Sequence, residues 1–136
     1  MAGGGKEATT TGKTVTFNGG TQRGVTQALV LHCRAATFPN QLQVNWANNT
    51  FHLQQLTTAT CSNDGMGPQP PPAGFDVHQG TGSGLCNGLA ATASWKFADH
   101  GEPGTNDTAE IHITGGCSLN VSGNLQGGNF QAHDGR

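Results

Sequence analysis

"LAATASWKF", residues 89–97, alternates strictly: Ala91, Ala93, Trp95 and Phe97 share one parity, and Thr92, Ser94 and Lys96 the other. A period of two puts the first set on one side of a pleated strand and the second on the opposite side. One apolar face and one polar face describe a half-buried strand, the building unit of an antiparallel sheet.

The next stretch with this period is "TAEIHITGGCSLNVSG" (108–123), which reads as a hairpin. Ala109, Ile111 and Ile113 form one apolar row, and Cys117, Leu119 and Val121 form the returning row. A two-residue turn at Gly115-Gly116 would set Ile113 opposite Ser118 and split the faces. A three-residue loop, Thr114-Gly115-Gly116, pairs Ile113 with Cys117, Ile111 with Leu119 and Ala109 with Val121, with Gly116 in the left-handed position. The pattern predicts this second register, because a one-residue slip turns the apolar face outward.

Working upstream, "TVTF" (14–17), "VTQALVLHCR" (25–34), "QLQVNW" (41–46) and "TFHLQQLTTATC" (50–61) read as four more strands. Leu56 falls out of phase with Phe51 and Leu53, which predicts a β-bulge near Gln54-Gln55. "SNDGMGPQPPPAG" (62–74) is a loop, since its proline run cannot sit inside a sheet. "FDVHQGTGSG" (75–84) starts as a strand and dissolves into alternating glycines. The expected core contains Leu42, Val44, Trp46, Phe51, Leu53, Trp95, Phe97, Ile111, Leu119 and Val121. The fold class is all-β: an antiparallel meander of about eight strands, a closed or partly open barrel, with a sandwich as the alternative. Residues 13–133 form a single β-domain. Residues 1–12 are a disordered Gly/Thr-rich tail, and 134–136 a second tail.

Composition narrows the function. The net charge of −2 and the absence of a basic run exclude a nucleic-acid surface. No apolar stretch approaches the roughly 20 residues of a spanning helix, and "MAGGGKEATTTGK" (1–13) has no apolar segment of the kind a signal peptide carries. The four cysteines, Cys33, Cys61, Cys86 and Cys117, are widely spaced and form no C-x-x-C pair. Two disulfides and an oxidising, extracellular compartment are the expectation. Cys33 and Cys61 each end a strand and are expected to meet across one end of the sheet; Cys86, in the turn before the 89–97 strand, and Cys117, which opens the last strand on its apolar face, are the second expected pair.

"FADHGEPGTNDTAEI" (97–111) places Asp99, Glu102 and Asp107 in one loop of a sparsely charged chain. These acids suit backbone capping in a structural turn. They are also a candidate calcium site, because Ca²⁺ takes carboxylate and carbonyl oxygens from a single flexible loop. Their spacing does not follow the EF-hand pattern. Apart from calcium, no cofactor is expected.

The run "DHGEPGTNDT" (99–108), followed by "GNLQGGNFQAH" (123–133), resembles a motif pair of a family of secreted bacterial β-domains found near the C-termini of extracellular multidomain proteins. The matching residues are Asp99, Gly101, Glu102, Pro103, Gly104, Asn106, Asp107 and Thr108, then Gly123, Leu125, Gly127, Gly128, Asn129, Gln131 and His133. The resemblance implies a secreted β-domain and supplies no catalytic residue.

Enzymatic chemistry has little support in the sequence. There is no G-x-S-x-G, no H-E-x-x-H and no phosphate loop. Six histidines, His32, His52, His78, His100, His112 and His133, invite a transition metal, but those that alternate with core residues read as solvent-facing. Asp76 and His78 share a strand face, which is weak ligand geometry on its own. The expected role is a secreted, disulfide-stabilised, non-enzymatic domain that is structural or binds a cell-surface partner or its own copies. The alternative is a module for carbohydrate or a small ligand, with calcium as a candidate ion.

Overall fold

The computed structural model describes residues 8–19, 22–66, 71, 73–101 and 106–133. They form nine strands: β1 (Thr9–Gly19), β2 (Gln22–His32), β3 (Gln41–Trp46), β4 (Asn49–Ser62), β5 (Val77–Cys86), β6 (Leu89–Ala98), β7 (Thr108–Gly115), β8 (Leu119–Gly127) and β9 (Gln131–His133). Each of β1 to β8 pairs antiparallel with its neighbour in sequence, and β8 returns to β1. The sheet is therefore a closed eight-stranded barrel with one extra short strand. In β6 the alternation does what the sequence implies: Ala91, Ala93, Trp95 and Phe97 are buried, while Thr92 and Lys96 are exposed. The whole expected core is buried apart from Leu53, which is only partly covered.

The seam lies along β1. Its one edge pairs with β2 from Thr9↔His32 to Gly19↔Gln22. Its other edge is shared: Thr16 and Phe17 pair with β8, and Thr9, Thr10 and Thr11 pair with His133, Ala132 and Gln131 of β9. So β8 and β9 lie end to end on one side of β1, interrupted at Gly128–Phe130. Residues 9–12, expected in the tail, are strand instead, and Ala8 is fully buried. The reason is tertiary: β9, which the sequence reading did not find, offers a ladder to the β-prone threonines. Residues 1–7 and 134–136 lie outside the described residues.

Strand β5 runs through its glycines to Cys86 rather than dissolving at them, with a ladder on each side. Gly80, Gly82 and Gly84 form its inward row. A Cβ on Gly84 would collide with the His52 carbonyl, and one on Gly82 would stand 2.6 Å from the Gln55 carbonyl. The β4 backbone thus bends over β5 so closely that no side chain fits. Register shifts at Leu53/Gln55 and Leu56/Thr58 supply the bend, the first of them where the broken phase places a bulge.

The β7–β8 register differs from expectation. Ile113 pairs with Leu119, Ile111 with Val121 and Ala109 with Gly123. The slip is two residues, so each apolar row keeps its face. The longer loop lets Cys117 leave the ladder and bridge Cys86, and lets the Gly116 N–H donate to the Ala90 carbonyl at 2.8 Å. Gly115, not Gly116, takes the positive φ, at 109°.

The two barrel ends are unlike. One carries tight turns, Ala47-Asn48 and Asn87-Gly88, with positive φ at both positions of each. This is the geometry that two-residue hairpins require. The Cys86–Cys117 bridge, with Cα atoms 5.8 Å apart, lies here. The other end carries the long connections 33–40, 63–76 and 99–107 and the Cys33–Cys61 bridge, with Cα atoms 5.5 Å apart. A small second cluster of Ala8, Ala73 and Phe75 packs against that bridge.

Candidate functional site at the loop-bearing end

Past the ends of β4, β5 and β6 the ladder continues for one more step. The Asp76 N–H donates to the Ser62 carbonyl at 2.9 Å, and the Asp99 N–H donates to the Asp76 carbonyl at 2.7 Å. This places Asp76 under the loops, only 2% exposed. Its Oδ1 accepts the Asp64 N–H at 3.0 Å, while Oδ2 is buried with no hydrogen-bond partner among the described residues. Asp64 itself is fixed by a turn in which its Oδ1 accepts the Met66 N–H at 2.9 Å. From the facing loop, His100 brings Nε2 to 2.8 Å from Asp64 Oδ2, and its Nδ1 lies 2.9 Å from the Asn106 carbonyl. One ligand-type atom from each of Asp64, Asp76 and His100 lies within 4.8 Å of the other two.

The charges in this cluster are coupled. Burial raises the Asp76 pKa, and the neighbouring Asp64 carboxylate raises it further. Burial would also raise Asp64, but the hydrogen bonds from His100 and the Met66 N–H outweigh it and hold Asp64 below its ordinary value. Burial would lower His100, but its bonds to Asp64 and the Asn106 carbonyl prevail and raise it.

The acids of the 97–111 stretch do different work. Asp107 is fully buried. Its Oδ1 accepts the His100 N–H at 2.8 Å and its Oδ2 the Phe130 N–H at 2.7 Å. Asp99 accepts the Gly101 N–H at 3.0 Å through Oδ1 and the Ala132 N–H at 2.9 Å through Oδ2. All four oxygens thus hold backbone donors, two of them across the seam. The stretches 99–108 and 123–133 are consequently one physical unit, a clamp joining the β6–β7 loop to the β8–β9 break. Burial pushes the Asp107 pKa up to about 7, against the pull of its two N–H bonds. Glu102 lies outside the described residues.

His78 shares the inward face with Asp76 but turns into the core. Trp95 Nε1–H donates to His78 Nδ1 at 3.1 Å, so the opposite nitrogen carries the proton and donates to the His32 carbonyl at 2.9 Å. Both ring nitrogens are used. His32 in turn is held by Asn40, which accepts from its backbone N–H at 2.8 Å. The remaining histidines are dispersed: His52 is exposed, His112 stands 3.1 Å from Glu110 Oε2, and His133 lies 3.0 Å from Thr11 Oγ1.

A groove of about 670 Å³ crosses the outer face of β9, β1, β2, β3 and β4. Pairing places Gln131, Thr11, Val30 and Gln41 in one outward row, and Ala28, Gln43 and His52 in the next. Ala28, Val30 and Thr11 make a shallow floor, while Lys13, Gln41, Gln43, His52, Asn129 and Gln131 line it with polar groups. Trp46 and Trp95 are buried and take no part.

Sequence reasoning singled out Asp76 and His100 separately and passed over Asp64. The available signal was the turn-forming "SNDG" at 62–65, which fixes an aspartate just past a strand end. Comparison of the chain with models of known protein families, with curated proteins and with solved structures finds no match.

Proposed function

We propose that this chain is a secreted, non-enzymatic binding module of the bacterial cell surface, and that the outer groove takes a hydroxyl-rich polar ligand such as a glycan strand. The observation that carries this reading is the lining of the groove. Gln41, Gln43 and Gln131 each carry a donor and an acceptor side by side, with Gln43 also donating to Asn45 Oδ1 at 3.4 Å; paired donors and acceptors are the pattern vicinal hydroxyls match. The floor of small side chains admits a ligand without an aromatic platform. Two further features support a module rather than a catalyst. The carboxylates of Asp99 and Asp107 are engaged by backbone donors, and both bridges stiffen the frame against an extracellular environment. Closure of the eight-stranded sheet leaves the three-residue β9, paired with β1 alone, as the one strand edge among the described residues, a short template for self-assembly by edge pairing.

The test is a titration of isotopically labelled protein with a panel of soluble oligosaccharides, followed through its amide resonances. Shifts at Gln41, Gln43, His52 and Gln131, lost in Gln43→Ala, support the reading. Saturating shifts confined to the loop-bearing end, or none across the panel, overturn it.

A further inference from the structure

We propose that Asp64, Asp76 and His100 form a binding site for one divalent transition-metal ion of the zinc class. The site is assembled from two loops at the barrel end, 63–76 and 99–107, separate from the groove.

Two independent features of the geometry call for a positive charge there. The first is the His100 ring. The Asn106 carbonyl can only accept, so Nδ1 carries a proton and donates to it at 2.9 Å. In the neutral ring, Nε2 is then a lone pair facing the carboxylate Oδ2 of Asp64 at 2.8 Å. At that distance the pair needs a positive charge, which either a proton on Nε2 or a metal ion between the two supplies. An imidazole whose far N–H is bound by a backbone carbonyl is also the usual posture of a metal-ligating histidine, oriented and made more basic by that bond.

The second feature is Asp76. It is 2% exposed, and its Oδ2 has no hydrogen-bond partner among the described residues. A buried carboxylate oxygen without a partner is costly. Asp76 brings one carboxylate oxygen within 4.8 Å of the ligand atoms of Asp64 and His100. An ion placed among the three would satisfy the lone pair of His100 and the spare charge of both aspartates at once.

The donor set selects the ion. Calcium and magnesium take oxygen ligands, whereas an imidazole nitrogen with carboxylates suits zinc and its first-row neighbours. Tetrahedral bonds of about 2.0–2.1 Å hold ligand atoms roughly 3.3 Å apart. The His100–Asp64 pair needs only a small opening from 2.8 Å to reach that spacing. Three protein ligands leave a fourth position for water or a donor from a partner.

The other histidines provide the control. His112 beside Glu110 is an exposed imidazole–carboxylate pair on the barrel wall, 3.1 Å apart. It tests whether any such pair would bind as well.

The experiment uses the intact, disulfide-bonded chain, stripped with a chelator and titrated with Zn²⁺ by calorimetry. Co²⁺ serves as a spectroscopic substitute, and Ca²⁺ as the competitor. The expected result is one Zn²⁺ per chain, a low-symmetry Co²⁺ visible spectrum, and affinity reduced at least about 10-fold in both His100→Gln and Asp76→Asn. His112→Gln should bind like the wild type. Circular dichroism shows whether each variant is folded. If Asp76→Asn does not fold, Asp64→Asn takes its place, since Asp64 lies on the surface turn. Absence of saturable Zn²⁺ binding by the wild type overturns the proposal. So does binding that survives His100→Gln and disappears in His112→Gln, and so does tighter binding of Ca²⁺ than of Zn²⁺.

Discussion

Trp95 Nε1 and His78 Nδ1 lie 3.1 Å apart, and this contact fixes the tautomer of a histidine inside the barrel. Burial lowers the His78 pKa below the 6.5 of an exposed imidazole. The unfolded chain therefore takes up the proton first as the pH falls. Stability from neutral His78 is complete above about pH 6.5. It is lost on acidification toward the lowered folded value, by at most about 1.4 kcal/mol per pH unit. His78→Gln should be destabilised at pH 7.5 by about 1–3 kcal/mol through its lost bonds. The gap to the wild type should narrow at pH 5. Urea midpoints of both proteins at the two pH values check this, and a gap that widens in acid would refute it.

The Asp107 clamp should be structural. In Asp107→Asn one oxygen becomes an NH₂, which must face either the His100 or the Phe130 N–H. The cost should be about 2 kcal/mol. The loss should be equal in millimolar Ca²⁺ and in chelator, as read by thermal melts. A calcium-dependent difference would return these acids, with Asp99 and Glu102, to the role of ion ligands.

Gly84 and Gly127 should respond in opposite ways to one added methyl group. At Gly84 the Cβ meets the His52 backbone, which cannot move without breaking the β4–β5 ladder. Gly84→Ala should cost about 3 kcal/mol or more, the upper range for overpacking. At Gly127 there is nothing within 4 Å and no positive φ, so Gly127→Ala should change stability by less than about 1 kcal/mol. Denaturation of the two variants side by side is the measurement.

Each disulfide closes a comparable loop, with sequence separations of 28 and 31. Restriction of the unfolded chain should then contribute about 3.5 kcal/mol per bridge. Removing Cys33 and Cys61 together should loosen the loop-bearing end first, through the Ala8, Ala73 and Phe75 cluster. Hydrogen exchange on the paired Ala variants, one bridge at a time, distinguishes local loosening from uniform loss.

Much of this barrel is written locally. Burial of alternate residues in β3, β6 and β7 depends only on the character of successive side chains, so the faces, the core and the strands can be read directly from the chain. The bulge in β4 is legible for the same reason: Leu56 breaks phase with Leu53. Asn87-Gly88 carries an equally local signal for a two-residue hairpin turn, which the sequence reading passed over because the glycines before it concealed the strand it ends.

What tertiary structure decided is everything that depends on which edge or loop comes alongside. Thr9–Gly12 became strand because β2 lay along all four residues and β9 along Thr9 to Thr11 on the other side. The β7–β8 ladder slipped by two because Cys86 held Cys117 out of it. Alternation permits any even shift, so it could not choose between registers. Asp64, Asp76 and His100 are separated by 12 and 24 positions, and no local pattern relates them. They meet because the antiparallel pairing of β4, β5 and β6 brings the ends of those strands together at one rim, where Asp76 is buried beneath the exposed turn that carries Asp64.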